Sequence, residues 1–317
     1  MEKFRKIIKF GTSSLILSLP TDWTKKNNLG KGDLVSVSEN INNELVLSVP
    51  SKDRSEQRKE IVINTENKDL TRIKREVVSA YINSYGVIKI KGKLSVSFLE
   101  EIKDIIKGLT ALEIVEQNSD SLVAKDFLDI REITFQEILR KMDNITRSMI
   151  VDLKNISKED ISHVIINRDE EVNRMVYLIM RTMRLTLDTP SLSNKENRIS
   201  MGNILNVWDV ALTVEGIADD IKRIAREFSK IEASLQTKKD LLKILDEIEH
   251  FYWDSMRAYY TKDVELAFKL SLNKSNLSKK CNDLHEKLSN IKQAPIILEN
   301  FKGIISSIHN LGRRVYS

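Results

Sequence analysis

The sequence has one cysteine, Cys281, four prolines and ten glycines in 317 residues, and aromatic side chains make up only 6%. One cysteine excludes an intrachain disulfide framework and a thiolate zinc site, and it suits a reducing, cytoplasmic setting. No run of about 18 apolar residues occurs, so no membrane-spanning helix and no membrane insertion are expected. The basic N-terminus lacks the apolar core and cleavage site of a signal peptide. The chemistry-bearing patterns of common enzymes are also missing. There is no glycine-rich phosphate loop, no dinucleotide fingerprint, no Gly-x-Ser-x-Gly elbow and no His-Glu-x-x-His. His163, His250, His285 and His309 are dispersed. Cys281 and His285 are four apart, which reads as a chance pair rather than a soft-metal site. No catalytic residue is assigned, and the chain is read as a non-enzyme.

Charge is plentiful but unevenly placed. Residues 1–32 hold seven basic side chains, Lys3, Arg5, Lys6, Lys9, Lys25, Lys26 and Lys31, against Glu2 and Asp22. That excess of five equals the net charge of the whole chain, so the remaining residues balance to neutrality. A basic excess on a short segment fits a nucleic-acid contact surface, and equally a solubilising rim.

Proline cannot complete a ladder or helix hydrogen bond, so Pro20, Pro50, Pro190 and Pro295 mark expected joints. The polar stretch from Ser51 to Glu56 reads as a linker. Before it, strands are expected at 6–9, 15–19, 34–38 and 44–49, the last two around a turn at 40–43. A short helix is expected over 22–28, with Thr21 as its N-cap. About 50 residues with four short strands bury little surface alone, which predicts a dimer. From 61 to 125 the pattern reads strand, helix (70–83), strand, helix (96–107) and a strand pair around residues 118–120. That order is a small α/β sandwich.

From Ile130 onward the apolar period is helical. Phe135, Ile138, Met142, Ile145, Met149 and Leu153 recur three or four apart, and so do Val207, Val210, Val214, Ile217, Ile221, Ile224 and Phe228. Such stripes predict long helices packed side by side in an antiparallel bundle. Polar connections are expected near 155–160, 188–198 and 271–278. Phe251, Tyr252, Trp253, Tyr259 and Tyr260 read as bundle core with polar tips, with a docking face as the alternative.

Two stretches resemble known families. Arg5-Lys6-Ile7, Gly11-Thr12-Ser13-Ser14, Ser18-Leu19-Pro20, Trp23 and Gly32-Asp33 resemble the SpoVT/AbrB-like swapped-hairpin domain. The resemblance implies an intertwined, dimeric β-barrel that binds DNA. By position it makes Arg5, Lys6, Lys9, Ser13 and Ser14 the DNA-contacting residues, with Lys25 and Lys26 behind them. Lysine, arginine and loop hydroxyls suit phosphate oxygens. With Arg5 the only arginine in this segment, guanine readout should be modest and specificity should come partly from shape.

In the C-terminal half, Asp169-Glu170-Glu171-Val172, Trp208-Asp209 and Val214-Glu215-Gly216-Ile217-Ala218-Asp219 resemble the PhoU family of phosphate-uptake regulators. Leu70-Thr71-Arg72, Tyr81-Ile82-Asn83 and Leu112-Glu113-Ile114 resemble the segment between these parts in archaeal PhoU-like regulators, which suggests an archaeal source. The resemblance implies carboxylate pairs four residues apart that hold a divalent or iron ion on the bundle surface. Glu215 and Asp219 keep that spacing, off the apolar stripe and therefore exposed by expectation, and Asp169 is the half-intact second copy. Asn173 stands where a second carboxylate belongs, and the place near the C-terminus has His309 and Arg313.

The sequence thus predicts an α+β multidomain chain. Residues 1–50 form a swapped-hairpin β-barrel, 60–126 a small α/β domain, and 130–317 a PhoU-like bundle. The expected function is a cytoplasmic, homodimeric, DNA-binding regulator of phosphate uptake. The alternative is an accessory protein that docks on a phosphate-transporter ATPase or signalling protein, with the N-terminal domain serving only dimerisation.

Overall fold

The computed structural model describes residues 4–39, 44–49, 59–93, 95–156, 161–188 and 194–316. The expected turn at 40–43, the linker at 51–56, Pro50 and Pro190 lie outside these. The chain divides into two units, residues 1–57 and residues 58–317.

In the N-terminal unit, β1 (Ile8–Phe10) pairs antiparallel with β2 (Ser14–Ile16), and β3 (Ser36–Glu39) with β4 (Leu45–Ser48). The strands are shorter than the alternating pattern suggests. Among its described residues this unit holds two separate two-stranded sheets rather than a closed barrel. The physical reason is strand supply: a barrel needs every edge paired, and two hairpins of three and four residues leave their edges open. Helix α1 (Thr21–Lys26) starts directly after Pro20, which pre-sets the extended entry, so Thr21 is the first helical residue and not the cap.

The second unit opens with a four-stranded sheet in the order β5-β6-β8-β7, formed by Glu60–Asn64, Val87–Lys91, Ser121–Asp126 and Leu112–Gln117. β5 and β6 are parallel across α2 (Leu70–Ile82), and the other pairs are antiparallel. Ile63, Ile88, Ile90, Leu112, Leu122 and Ala124 alternate onto one sheet face. There they meet Ile73, Val77 and Tyr81 of α2 and Ile102 and Ile106 of α3 (Val96–Lys107) in one core. Both helices begin on capped amides: Asp69 accepts from the Arg72 N–H and Ser95 from the Phe98 N–H.

The helical region comprises α4 (Phe135–Asn155), α5 (Ser162–Asp188), α6 (Met201–Phe228), α7 (Leu235–Thr261), α8 (Val264–Ser271), α9 (Asn273–Lys287) and α10 (Ala294–Arg313). A reciprocal Thr134–Glu137 capping box starts α4, Ser200 caps α6 and Ser234 caps α7. The α6 stripe Val207, Val210, Val214, Ile217, Ile221, Ile224 and Phe228 is buried throughout, and α6 packs on α4, α5 and α10. Pro295 lies in the first turn of α10, where its missing N–H costs nothing. The polar stretch at 271–278 is mostly helix rather than connection. Leu270, Leu277 and Cys281 bury on either side of a break at Leu272, so core contacts override its polar composition. No helix among the described residues is long and apolar enough to cross a membrane.

The α/β module and the bundle belong to one unit because α5 serves both. Its Asp169, Val172 and Ile179 are buried in the bundle, while Tyr177 and Met180 pack on the core of the sheet module. Arg181, 3% exposed, pairs with the Asp126 carboxylate at the end of β8. It also donates to the Tyr81 carbonyl at 3.1 Å and lies 4.6 Å from the Tyr81 ring centroid.

Candidate nucleic-acid interface and the bundle's carboxylate site

In the N-terminal unit, Arg5 and Lys6 precede β1, Lys9 is in it, Ser13 is in the turn and Ser14 opens β2. Gly11 holds φ +65° in that turn, a left-handed conformation that glycine adopts without steric cost. Lys25 and Lys26 form the last turn of α1, where cations complement the helix dipole. All seven side chains are exposed. A second turn is closed by the Gly30 N–H donating to Asp33 Oδ2 at 2.7 Å.

The apolar residues of this unit are exposed as well. Ile8 pairs with Ile16 and Phe10 with Ser14, so Ile8, Phe10 and Ile16 share one face of the first hairpin. On the second hairpin, Val37 lies opposite Leu47, and Leu45 is on the same face. Ile8 is 59% exposed, Phe10 66%, Val37 58% and Leu45 70%. Among the described residues of this unit, none is buried. A chain segment with two apolar faces and no core of its own has nothing internal to offset its ordering entropy.

Two of the bundle's three predicted metal residues, Asp169 and Asp219, come together around a lysine, with Glu215 near them. Asp169 of α5 and Asp219 of α6 both accept from Lys222 Nζ, at 2.7 and 2.6 Å. Arg223 Nη2 is 2.5 Å from the other Asp219 oxygen. The Asn173 side-chain amide donates to Asp169 at 3.2 Å, and the second Asp169 oxygen is buried without a hydrogen-bond partner. Glu215 and Asp219 are half-buried rather than exposed, because the α5 face packed against α6 covers their side of the helix. Burial and the nearby carboxylates of Asp219 and Asp169 raise the Glu215 pKa. Burial lowers that of Lys222, but its bonds to Asp169 and Asp219 outweigh this and leave it above the ordinary lysine value. Among the described residues, no group of three or more His, Cys, Asp and Glu is arranged to hold a metal. The i, i+3 and i, i+4 spacing of Asp219 with Lys222 and Arg223 is readable in the sequence. The Asp169–Lys222 pair spans two helices and is not.

On α6 itself, burial pushes the Asp220 carboxyl up to about 6. A Cβ at Gly303 of α10 would stand only 2.8 Å from its Oδ2, so the two helices approach closely there. At the α4–α7 seam, Arg147 Nε donates to the buried Asp143 at 2.7 Å, and its guanidinium stands against the Tyr252 and Trp253 rings. Tyr252 is fully buried, and burial raises its pKa well above the usual phenol value. The aromatic cluster is thus core, as the sequence suggests, but the Tyr252 hydroxyl, the Trp253 indole nitrogen and the Tyr260 hydroxyl are buried rather than reaching the surface. Near the C-terminus, burial and the neighbouring Lys274 and Arg313 lower the His309 pKa.

Cys281 has no solvent exposure, and burial pushes its thiol up to about 11. At pH 7.5 we expect a thiol-reactive probe to modify native protein at least about 100-fold more slowly than protein in denaturant, through both lost access and lost thiolate. Mass spectrometry of the labelled chain measures this. Comparable rates in the two states would show that the α9–α10 contact opens readily.

Residues 8–56 match the model of a family described as antidote-toxin recognition MazE, a bacterial antitoxin. That span is the N-terminal unit less its first residues, and it supports the AbrB-type assignment of this part. The matched family is one of regulators and not of enzymes. No curated protein matches the chain.

Proposed function

We propose that this chain is a dimeric DNA-binding regulator of the phosphate-uptake kind that its bundle resembles. The observation that carries the DNA-binding part is the N-terminal unit. It exposes Arg5 and Lys6 just before the first hairpin, Lys9, Ser13 and Ser14 on it, and Lys25 and Lys26 on α1; no described residue of the unit is buried, and all but Arg5 and Lys6 fall in the segment matched by the antitoxin family. A second copy supplies the missing core, and pairing two units doubles the local charge excess that faces phosphates. Residues 58–317 are the sensing part, by their resemblance to PhoU and by the rigid attachment of the α/β module to α5. The family match bears on residues 8–56 alone and says nothing of a toxin partner.

A mobility-shift titration with the protein's own upstream DNA tests this reading. Replacing Arg5, Lys6 and Lys9 by Ala is expected to lower affinity at least about 100-fold at 0.15 M salt and to flatten the salt dependence. Unchanged affinity would remove the DNA role in this form. Salt-independent, negligible DNA affinity together with capture of a phosphate-transporter ATPase subunit would instead favour the accessory role.

A further inference from the structure

We propose that Lys222 is the resident cation of the carboxylate site between α5 and α6, and that the bundle is built to work without a metal there. A divalent ion bridging Asp169 and Asp219 needs oxygens about 2.0–2.6 Å away, with no other cation inside that shell. The Lys222 ammonium already stands 2.7 Å from Asp169 Oδ2 and 2.6 Å from Asp219 Oδ1, in the position such an ion would take. The second Asp219 oxygen is held by Arg223. A metal could enter only by expelling an ammonium tethered three residues from one of its own ligands.

The surrounding residues agree. Asn173 turns its amide nitrogen, a donor, toward Asp169, as suits a carboxylate already serving a cation. Asp169 is 3% exposed and its Oδ1 has no hydrogen-bond partner. A buried carboxylate of this kind requires a nearby positive charge, and Lys222, only partly exposed itself, provides it. Because Asp169 is on α5 and Lys222 on α6, this ammonium also ties the two helices. A fixed charge cannot report on metal supply. A metal-borne signal therefore does not enter the bundle at this site, whether or not the N-terminal unit binds DNA.

The test uses full-length protein and manganese(II) alone, followed by calorimetric titration and by elemental content after dialysis. Wild type is expected to show no stoichiometric Mn2+ site that depends on Asp169. Lys222→Met keeps the apolar stem and removes the charge, leaving the Asp169 and Asp219 carboxylates that it bridged without a cation between them. It is expected to bind one Mn2+ per chain at least about 100-fold more tightly than wild type. Mn2+ should then raise the melting temperature of Lys222→Met and not that of wild type, while Lys222→Arg, which keeps a cation, stays metal-free. Should Lys222→Met fail to fold, the double variant Asp169→Asn/Lys222→Met removes one charge of each sign and should recover most of the wild-type melting temperature. Three results would overturn the proposal: a wild-type Mn2+ site abolished by Asp169→Asn, no gain of Mn2+ affinity in folded Lys222→Met, or a double variant no more stable than the single one.

Discussion

Ile8→Asp is expected to convert the protein from a dimer to a monomer while residues 58–317 keep their fold. Ile8 shares one hairpin face with Phe10 and Ile16, and the three are 59%, 66% and 41% exposed in the single chain. Burying an isoleucine side chain in a partner contributes about 2 kcal/mol, and a dimer contains the residue twice. The substitution also forces two carboxylates toward an apolar interface, which costs several kcal/mol more unless they stay in water. At about 1.4 kcal/mol per tenfold change, dimer affinity should fall at least about 1,000-fold. Sedimentation velocity at micromolar concentration reads the result directly. The helical circular dichroism should change little, since the helices of 58–317 have their own core. An Ile8→Asp protein that stays dimeric would place the interface elsewhere and would leave the exposed hairpin faces unexplained.

Arg181→Met should separate the α/β module from α5. Arg181 is almost wholly buried and makes three kinds of contact at once: the Asp126 carboxylate, the Tyr81 carbonyl and the Tyr81 ring. Asp126 itself is only 11% exposed. Removing one partner of a buried ion pair costs about 3–5 kcal/mol, largely because the other charge loses its compensation. Methionine keeps much of the volume, so the loss falls on the charge and the hydrogen bonds. The same pairing influences Tyr81, whose phenol is pushed up to about 12, chiefly by burial. Hydrogen exchange is expected to speed up in α2, β8 and the C-terminal half of α5, with α6 and α10 less affected. Uniform loss of protection across the whole unit would mean that the module and the bundle unfold as one. No change would mean that the remaining contacts, Tyr177 and Met180 on the module's core and Arg184 on the Asn83 side chain, suffice to hold the two together.

Much of the fold is legible in residue order. The helix over 96–107 is bounded by Ser95, whose side chain caps it, and by Gly108, so local chemistry marks both ends. The long stripe from Val207 to Phe228 has one period and one reading. Where the local signal is weak, the ends move. The strands of the N-terminal unit are shorter than their alternation implies, because a strand extends only as far as a neighbour pairs with it. The polar run after Ser271 becomes helix because Leu277 and Cys281 find a core.

The sequence by itself determined the placement of charge, the helical and strand periods, and the presence of carboxylates at 169, 215 and 219. These are properties of spacing along one chain, and spacing survives without tertiary contacts. Only the tertiary structure decided that Lys222 stands between Asp169 and Asp219, that Arg181 docks the α/β module on α5, and that the basic hairpins have no buried residue among those described. Each depends on which residues distant in sequence meet, or fail to meet, and hence on packing rather than on periodicity.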